Sequence, residues 1–242
     1  MTVGELLKTL DTLSPFSLQE GWDNSGLIVG NPHQVLHTVV VGLDLDEDLI
    51  REMPEGTLFL NHHPLIFKGI KRFDTATYPA NLLHLMIQKS QAQIALHTNF
   101  DQTHLNRYVA TKVLGWPEPF CEGFVCTASL QTTPEALAKE AGRALNLSTL
   151  RWVPGTRLVH KVALTTGAGG SLMESVDADA FLTGDIKYHD AMIARSLGLT
   201  LIDIGHFDSE RYFPDAIGEA LNPYPFKVII KNSKNPFDTL TV

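Results

Sequence analysis

Apolar residues recur at helical spacing through residues 2–13 (TVGELLKTLDTL) and 77–90 (TYPANLLHLMIQKS). Short β-branched runs stand before and between such stretches: HTVVVGLDL at 37–45, GTLFLNHHP at 56–64 and AQIALHTNFDQ at 92–102. The first pattern predicts amphipathic helices and the second buried strands. DEDLIREM at 46–53 adds a helix with acidic residues in its first turn, where they suit the dipole. Strands alternating with helices predict an α/β layer with a largely parallel sheet. GWDNSGLIVG at 21–30 sets a short apolar run between turn-forming residues.

The second half repeats the alternation. TPEALAKEAGRALNL at 133–147 predicts a helix capped by Thr133, and KVALTTGAGG at 161–170 a strand entering a Gly-rich turn. ADAFLTGDIKYHDAMIARSLG and LTLIDIGHFDSERYFPDAIGEALN each read as strand, turn and helix, and PFKVIIKNSKNPF as a final edge strand. GWPEPFCEG at 115–123 packs two prolines and two glycines into nine residues and marks a boundary near 120. No fixed-period repeat interrupts this order.

These elements predict two lobes with mixed or largely parallel sheets flanked by helices. The second lobe spans 121–198. The segment 199–242 is expected to return to the first lobe, 1–120, because its histidine and glutamate must reach the same site.

Composition narrows the function classes. At 242 residues and 44% hydrophobic, the chain can bury a core. A net charge of −8 argues against a nucleic-acid partner, which would need a basic surface. No apolar run reaches a membrane span, and the N-terminus lacks a basic region before an apolar core. A cytoplasmic protein is therefore expected. Cys121 and Cys126 are too few for a disulfide framework and read as structural thiols.

The chemistry concentrates at the carboxyl ends of predicted strands, where open α/β sheets bind ligands. His62 and His63 end one strand, His97 and Asp101 follow a second, and His206 and Glu210 a third. Successive strand residues face opposite ways, but just past a strand end two imidazoles can face one space. His206 and Glu210 are four apart at a helix start, hence on one face. Imidazole with carboxylate suits Zn, Mn, Fe, Co or Ni better than Ca or Mg. His62, His63, His206, Asp101 and Glu210 exceed one open four-coordinate site, and fit two divalent ions sharing a carboxylate and a solvent molecule. Two such ions against two carboxylates and a hydroxide leave net positive charge, which attracts a small anionic substrate. The predicted site lies at strand ends in the cleft between the lobes.

Other segments carry weaker signals. TTGAGGS at 165–171 reads as a tight turn, with phosphate cradling as the alternative. In TGDIKYHD, Asp185 and His189 are four apart, with cleft-lining and capping roles both open. Trp22, Asp23 and Asn24 form either a pocket wall or a turn anchored by the indole.

GWDNSGLIVG, NHHPLIF, HTNFD, TGDIKYHDA and GHFDSE, in this order, resemble the GTP cyclohydrolase 1 type 2 homologue family of dinuclear-metal-centre proteins. The resemblance implies a two-lobed α/β protein with paired metals, assembled as a toroidal homohexamer. It places metal ligands on His62, His63, Asp101, His206 and Glu210, and a supporting or catalytic role on His97. It also implies a metal-dependent hydrolase acting on a nucleotide-like or phosphorylated small molecule, with a non-catalytic metal-binding or ring-forming scaffold as the alternative. Phe207 stands where such proteins often have tyrosine, which removes a hydroxyl but no ligand.

Overall fold

A computed structural model of the chain describes residues 1–221, 226–238 and 240. Within the expected segments 199–222 and 225–237, residues 222 and 225 lie outside that set. The chain divides into two compact units, Met1–Phe100 with Phe213–Lys234, and Asp101–Tyr212 with Asn235–Val242.

The first unit is built on a sheet of five strands. These are β1 (Gly26–Val29), β2 (Thr38–Gly42), β3 (Leu58–Asn61), β4 (Ala92–Ala95) and β11 (Lys227–Ile230), in the order β1-β4-β3-β2-β11. All pairings are parallel except β1 with β4. β3 and β4 are buried at every residue, as strands covered on both faces must be. Phe59 and Val40 pack with Ile50, Leu82, Leu83 and Met86 from the covering helices. Those helices start where side chains can satisfy their first amides. Thr2 and Glu5 form a reciprocal capping box on Val3–Leu13, and Asp46 accepts from Leu49 N on Glu47–Glu52.

The second unit carries six strands: β5 (Phe120–Glu122), β6 (Val125–Thr132), β7 (Arg151–Val153), β8 (Val159–Leu164), β9 (Ala180–Thr183) and β10 (Thr200–Asp203). Their order is β5-β6-β8-β9-β10-β7, parallel only at β8/β9 and β9/β10. Helix Pro134–Ala144 is capped by Thr133, whose hydroxyl accepts from Ala136 N. Helix Tyr188–Leu197 ends on Gly198 in the left-handed conformation. Phe181, Ala163, Met173, Ala194 and Leu201 form the unit's core.

Three expectations change. The boundary does not fall near 120, because a helical stretch from Thr98 carries the chain across at Phe100/Asp101. The Pro/Gly-rich 115–123 segment instead leads into β5 and includes it, the first strand of the β5/β6 hairpin. The strand at 200–203 belongs to the second sheet, hydrogen-bonded to β9 and β7, so only the segment from Phe213 joins the first unit. Cys121 and Cys126 are not separate thiols but a disulfide. They are register partners across the β5/β6 hairpin, with Cα atoms 4.0 Å apart.

The crossing stretch has an unusual winding. Asp101–Leu105 and Val109–Val113 are π-helical. Asn106 Nδ2 donates to the Asp101 carbonyl oxygen (3.1 Å), while Asn106 Oδ1 accepts from Thr166 N (2.7 Å) and Thr166 Oγ1 (3.0 Å).

Candidate metal centre

The first unit gathers three histidines. β3 ends at Asn61, and the chain turns through His62 and His63; β4 ends at Ala95, two residues before His97. The His62 and His63 ring centroids are 5.0 Å apart, His62 and His97 5.0 Å, and His63 and His97 5.5 Å. One nitrogen from each ring lies within 4.8 Å of the others.

The other ring nitrogen of each histidine is committed to an acceptor. His62 Nδ1 donates to the Leu96 carbonyl oxygen (2.7 Å), His63 Nδ1 to Asp44 (2.6 Å) and His97 Nδ1 to Asp23 (2.6 Å). A carbonyl or an ionised carboxylate only accepts, so each Nδ1 carries a proton and Nε2 is the nitrogen left to ligate. This is the arrangement that orients metal-ligating histidines. Asp23 is well suited to it. Its burial would raise its pKa, but the hydrogen bond and charge of His97, the Thr98 hydroxyl and the Asn24 amide outweigh that and hold it far below the ordinary carboxylate range.

The second unit holds a cluster of its own, with two carboxylates and a histidine. Asp101 and Glu210 are both buried, and a carboxylate oxygen of each lies within 4.8 Å of the other. His206 Nε2 meets Glu210 Oε2 at 3.0 Å, and His206 Nδ1 donates to Asp185 at 2.7 Å. The Glu210 hydrogen bond leads in raising the His206 pKa; burial opposes it, and the Glu210 charge and Asp185 carry it to about 9. Helix His206–Glu210 follows Gly205, at φ 73°, and puts both groups on one face.

The Gly-rich turn serves this cluster by staying small. A Cβ on Gly167, at φ +63°, would stand 2.0 Å from Glu210 Oε1, and one on Gly184 would stand 2.6 Å from His206 N. Asp185 takes neither of the roles expected for it: it orients His206. His189 instead packs edge-on to the exposed Tyr188 ring at 5.4 Å.

The donors fit a divalent transition metal. Two carboxylates buried close together repel, and His206 in its charged form offsets only part of that. Imidazole nitrogens with fixed tautomers and carboxylate oxygens are the ligand types for such ions. Sequence reasoning named all six of these side chains but missed Asp23, Asp44 and Asp185 as orienting groups and Gly167 as a spacer. The signal for Asp44 was its place at the end of a β-branched strand.

A family model described as Duf34/NIF3 (NGG1p interacting factor 3) matches residues 1–236. The chain belongs to the Duf34/NIF3 family. Within reach of that family, a Campylobacter jejuni protein named GTP cyclohydrolase 1 type 2 homolog is 44% identical over 238 residues, covering 98% of this chain and 99% of its own. A Helicobacter pylori protein named GTP cyclohydrolase 1 type 2 is 39% identical over 240 residues, with 98% and 99% covered. Among solved structures, a hypothetical protein of Staphylococcus aureus superposes with a TM-score of 0.87 at 26% identity, covering 99% of both chains. Reduced HcgD from Methanocaldococcus jannaschii shares the fold, with a TM-score of 0.81 at 22% identity over 95% of this chain and 97% of its own. Among the described residues, no helix of this family member is long and apolar enough to cross a membrane.

Proposed function

We propose that this protein is a hydrolase that works with two divalent metal ions per chain. Its substrate is a nucleotide-like or phosphorylated small molecule. His62 and His63 from the first unit would hold the metals together with Asp101, His206 and Glu210 from the second. The observation that carries this reading is the set of histidines whose Nδ1–H groups are each tied to an oxygen acceptor. When bound, the ions supply Lewis acidity, which lowers the pKa of water and draws a substrate's oxygens into place.

The chain's own residues do the rest. Asp23 stays ionised and fixes the His97 ring, so His97 Nε2 can take a proton from the attacking water and return it to the leaving group. Asp44 and Asp185 hold His63 and His206 in the ligating tautomer. Burial of Asp101 and Glu210 limits the water that would compete for their oxygens. The names of the Campylobacter and Helicobacter relatives favour a nucleotide among the candidate substrates. We propose in addition that the chains assemble as a homohexamer, read as a solution mass six times that of one chain.

The test is a turnover screen of the metal-loaded protein against nucleoside triphosphates, nucleoside monophosphates and phosphoesters, with metal content measured on the same samples. Hydrolysis that disappears in Asp101→Ala and in His97→Ala supports the reading. Two bound metals with no turnover of any substrate would leave a metal-binding scaffold instead.

A further inference from the structure

Phe59, Phe100 and Phe213 are fully inside, whereas several aromatic residues, among them Phe73, Phe120 and Tyr188, are exposed. Trp22 and Phe67, left 60% and 42% exposed, differ from those in their place. They stand beside His97. The Trp22 and Phe67 ring centroids are 5.8 Å apart at 65°, Trp22 and His97 6.4 Å at 77°, and Phe67 and His97 5.9 Å at 82°. The three rings are therefore mutually edge-on and form the walls of a corner.

That corner is held in place. Directly after Trp22, Asp23 accepts from the His97 ring, Thr98 N (3.1 Å) and the Thr98 hydroxyl. Asn24 Nδ2 donates to the carbonyl oxygen of Ile66 (2.5 Å), the residue before Phe67. Ser25 N donates to Gln19 Oε1 (2.7 Å), and Ser25 Oγ accepts from His97 N (3.1 Å). Six hydrogen bonds at three consecutive residues, Asp23, Asn24 and Ser25, beside two exposed rings are more than a surface turn requires. Walls set at steep angles to one another leave their faces open, and a flat ring lying on one face meets the other wall edge-on, both favoured aromatic geometries.

We propose that Trp22 and Phe67 are an aromatic platform that binds the planar heteroaromatic ring of the substrate next to His97. This rests on the hydrolase reading and narrows it, since the substrate then carries a ring such as a purine and is not a simple sugar phosphate. Stacking of a base on an aromatic side chain is worth about 5- to 150-fold in affinity per base.

The experiment is calorimetric titration of the full-length, metal-loaded protein with guanosine 5′-monophosphate and, separately, ribose 5-phosphate. Metal content is measured in every sample. The nucleotide should bind about 10- to 100-fold more tightly than the sugar phosphate. Trp22→Ala should abolish most of that preference without lowering metal content, Trp22→Phe should keep it, and Phe67→Ala should reduce it. Equal binding of the two probes by the parent protein, or a full ring preference in Trp22→Ala, overturns the platform. If the protein takes up no metal, the hydrolase reading fails. The same titration with guanosine and the same variants then still decides the platform by itself.

Discussion

Replacing Gly167 by alanine would place a methyl carbon 2.0 Å from Glu210 Oε1 and 3.1 Å from its Cδ. Ordinary contact requires the carboxylate to retreat by more than about 1 Å. Metal sites tolerate ligand shifts of only about 0.2 Å. A residue with a Cβ at φ +63° also carries a left-handed penalty of roughly 1–2 kcal/mol. These two costs can be separated within this chain. Gly115 has nearly the same backbone, φ +67°, with nothing within 4 Å of its added Cβ. Gly115→Ala should therefore show the backbone penalty alone, a fall in Tm of about 2–8 °C for a chain of this size. Gly167→Ala should show that fall plus about 1–3 kcal/mol for displacing a buried, hydrogen-bonded carboxylate. It should also lower the affinity of at least one metal by more than the roughly 100-fold that loss of an outer partner produces. The assays are thermal melts with and without chelator, and elemental analysis after dialysis against a graded chelator series. A Gly167→Ala protein that melts no lower than Gly115→Ala and keeps the parental metal content would refute the packing argument and remove Glu210 from the ligand set.

Three further outcomes are expected. Asp44→Asn should leave the fold intact and weaken metal binding by about 10- to 100-fold, measured by chelator competition, because His63 loses an ionised acceptor but not its ligating nitrogen. Asp101→Ala should empty at least one metal site while His97→Ala retains metal; loss of both metals from the His97 variant would reverse the roles given to these two residues. Replacing Cys121 and Cys126 together by alanine should cost about 2 kcal/mol, from a closed loop whose ends are only five residues apart, and lower Tm by about 4–8 °C. An unchanged melt in that variant would mean the hairpin needs no staple.

The ligand types and the strand ends that present them could be read from spacing alone, because His62, His63, His97, His206 and Glu210 follow apolar runs that admit few alternatives. The orienting carboxylates could not. Asp44 and Asp23 lie 19 and 74 residues from the histidines they hold; a strand end marks Asp44 as a site candidate, but nothing local names the histidine that either carboxylate pairs with. The unit boundary was misplaced for a related reason. Pro and Gly punctuation reports where regular structure stops, whereas the chain crosses between units inside a continuous helical stretch, with no break in polarity to betray it. The strand at 200–203 was assigned by what its neighbour His206 must reach, but a strand is placed by its hydrogen-bonded edges, and β9 and β7 claim both of them. The cysteines were judged by number, and cross-strand register is what pairs them.

The π-helical winding at Asp101–Leu105 has a consequence for how this protein can change over time. In such a turn, residues five apart share a side, where an α-helix aligns those about four apart. Asp101 and Asn106 are five apart, and the Asn106 amide clasps both the Asp101 backbone and the Thr166 end of the loop that leads to Gly167. Deleting one of the four residues between them would let the turn relax to ordinary α winding, which leaves Asp101 and Asn106 four apart and still on one side. The stretch therefore carries a slack of one residue. A single-codon deletion, usually disruptive in a helix, would be absorbed here, whereas an exchange at Asn106 would cut the hold on Asp101 and on Thr166 together.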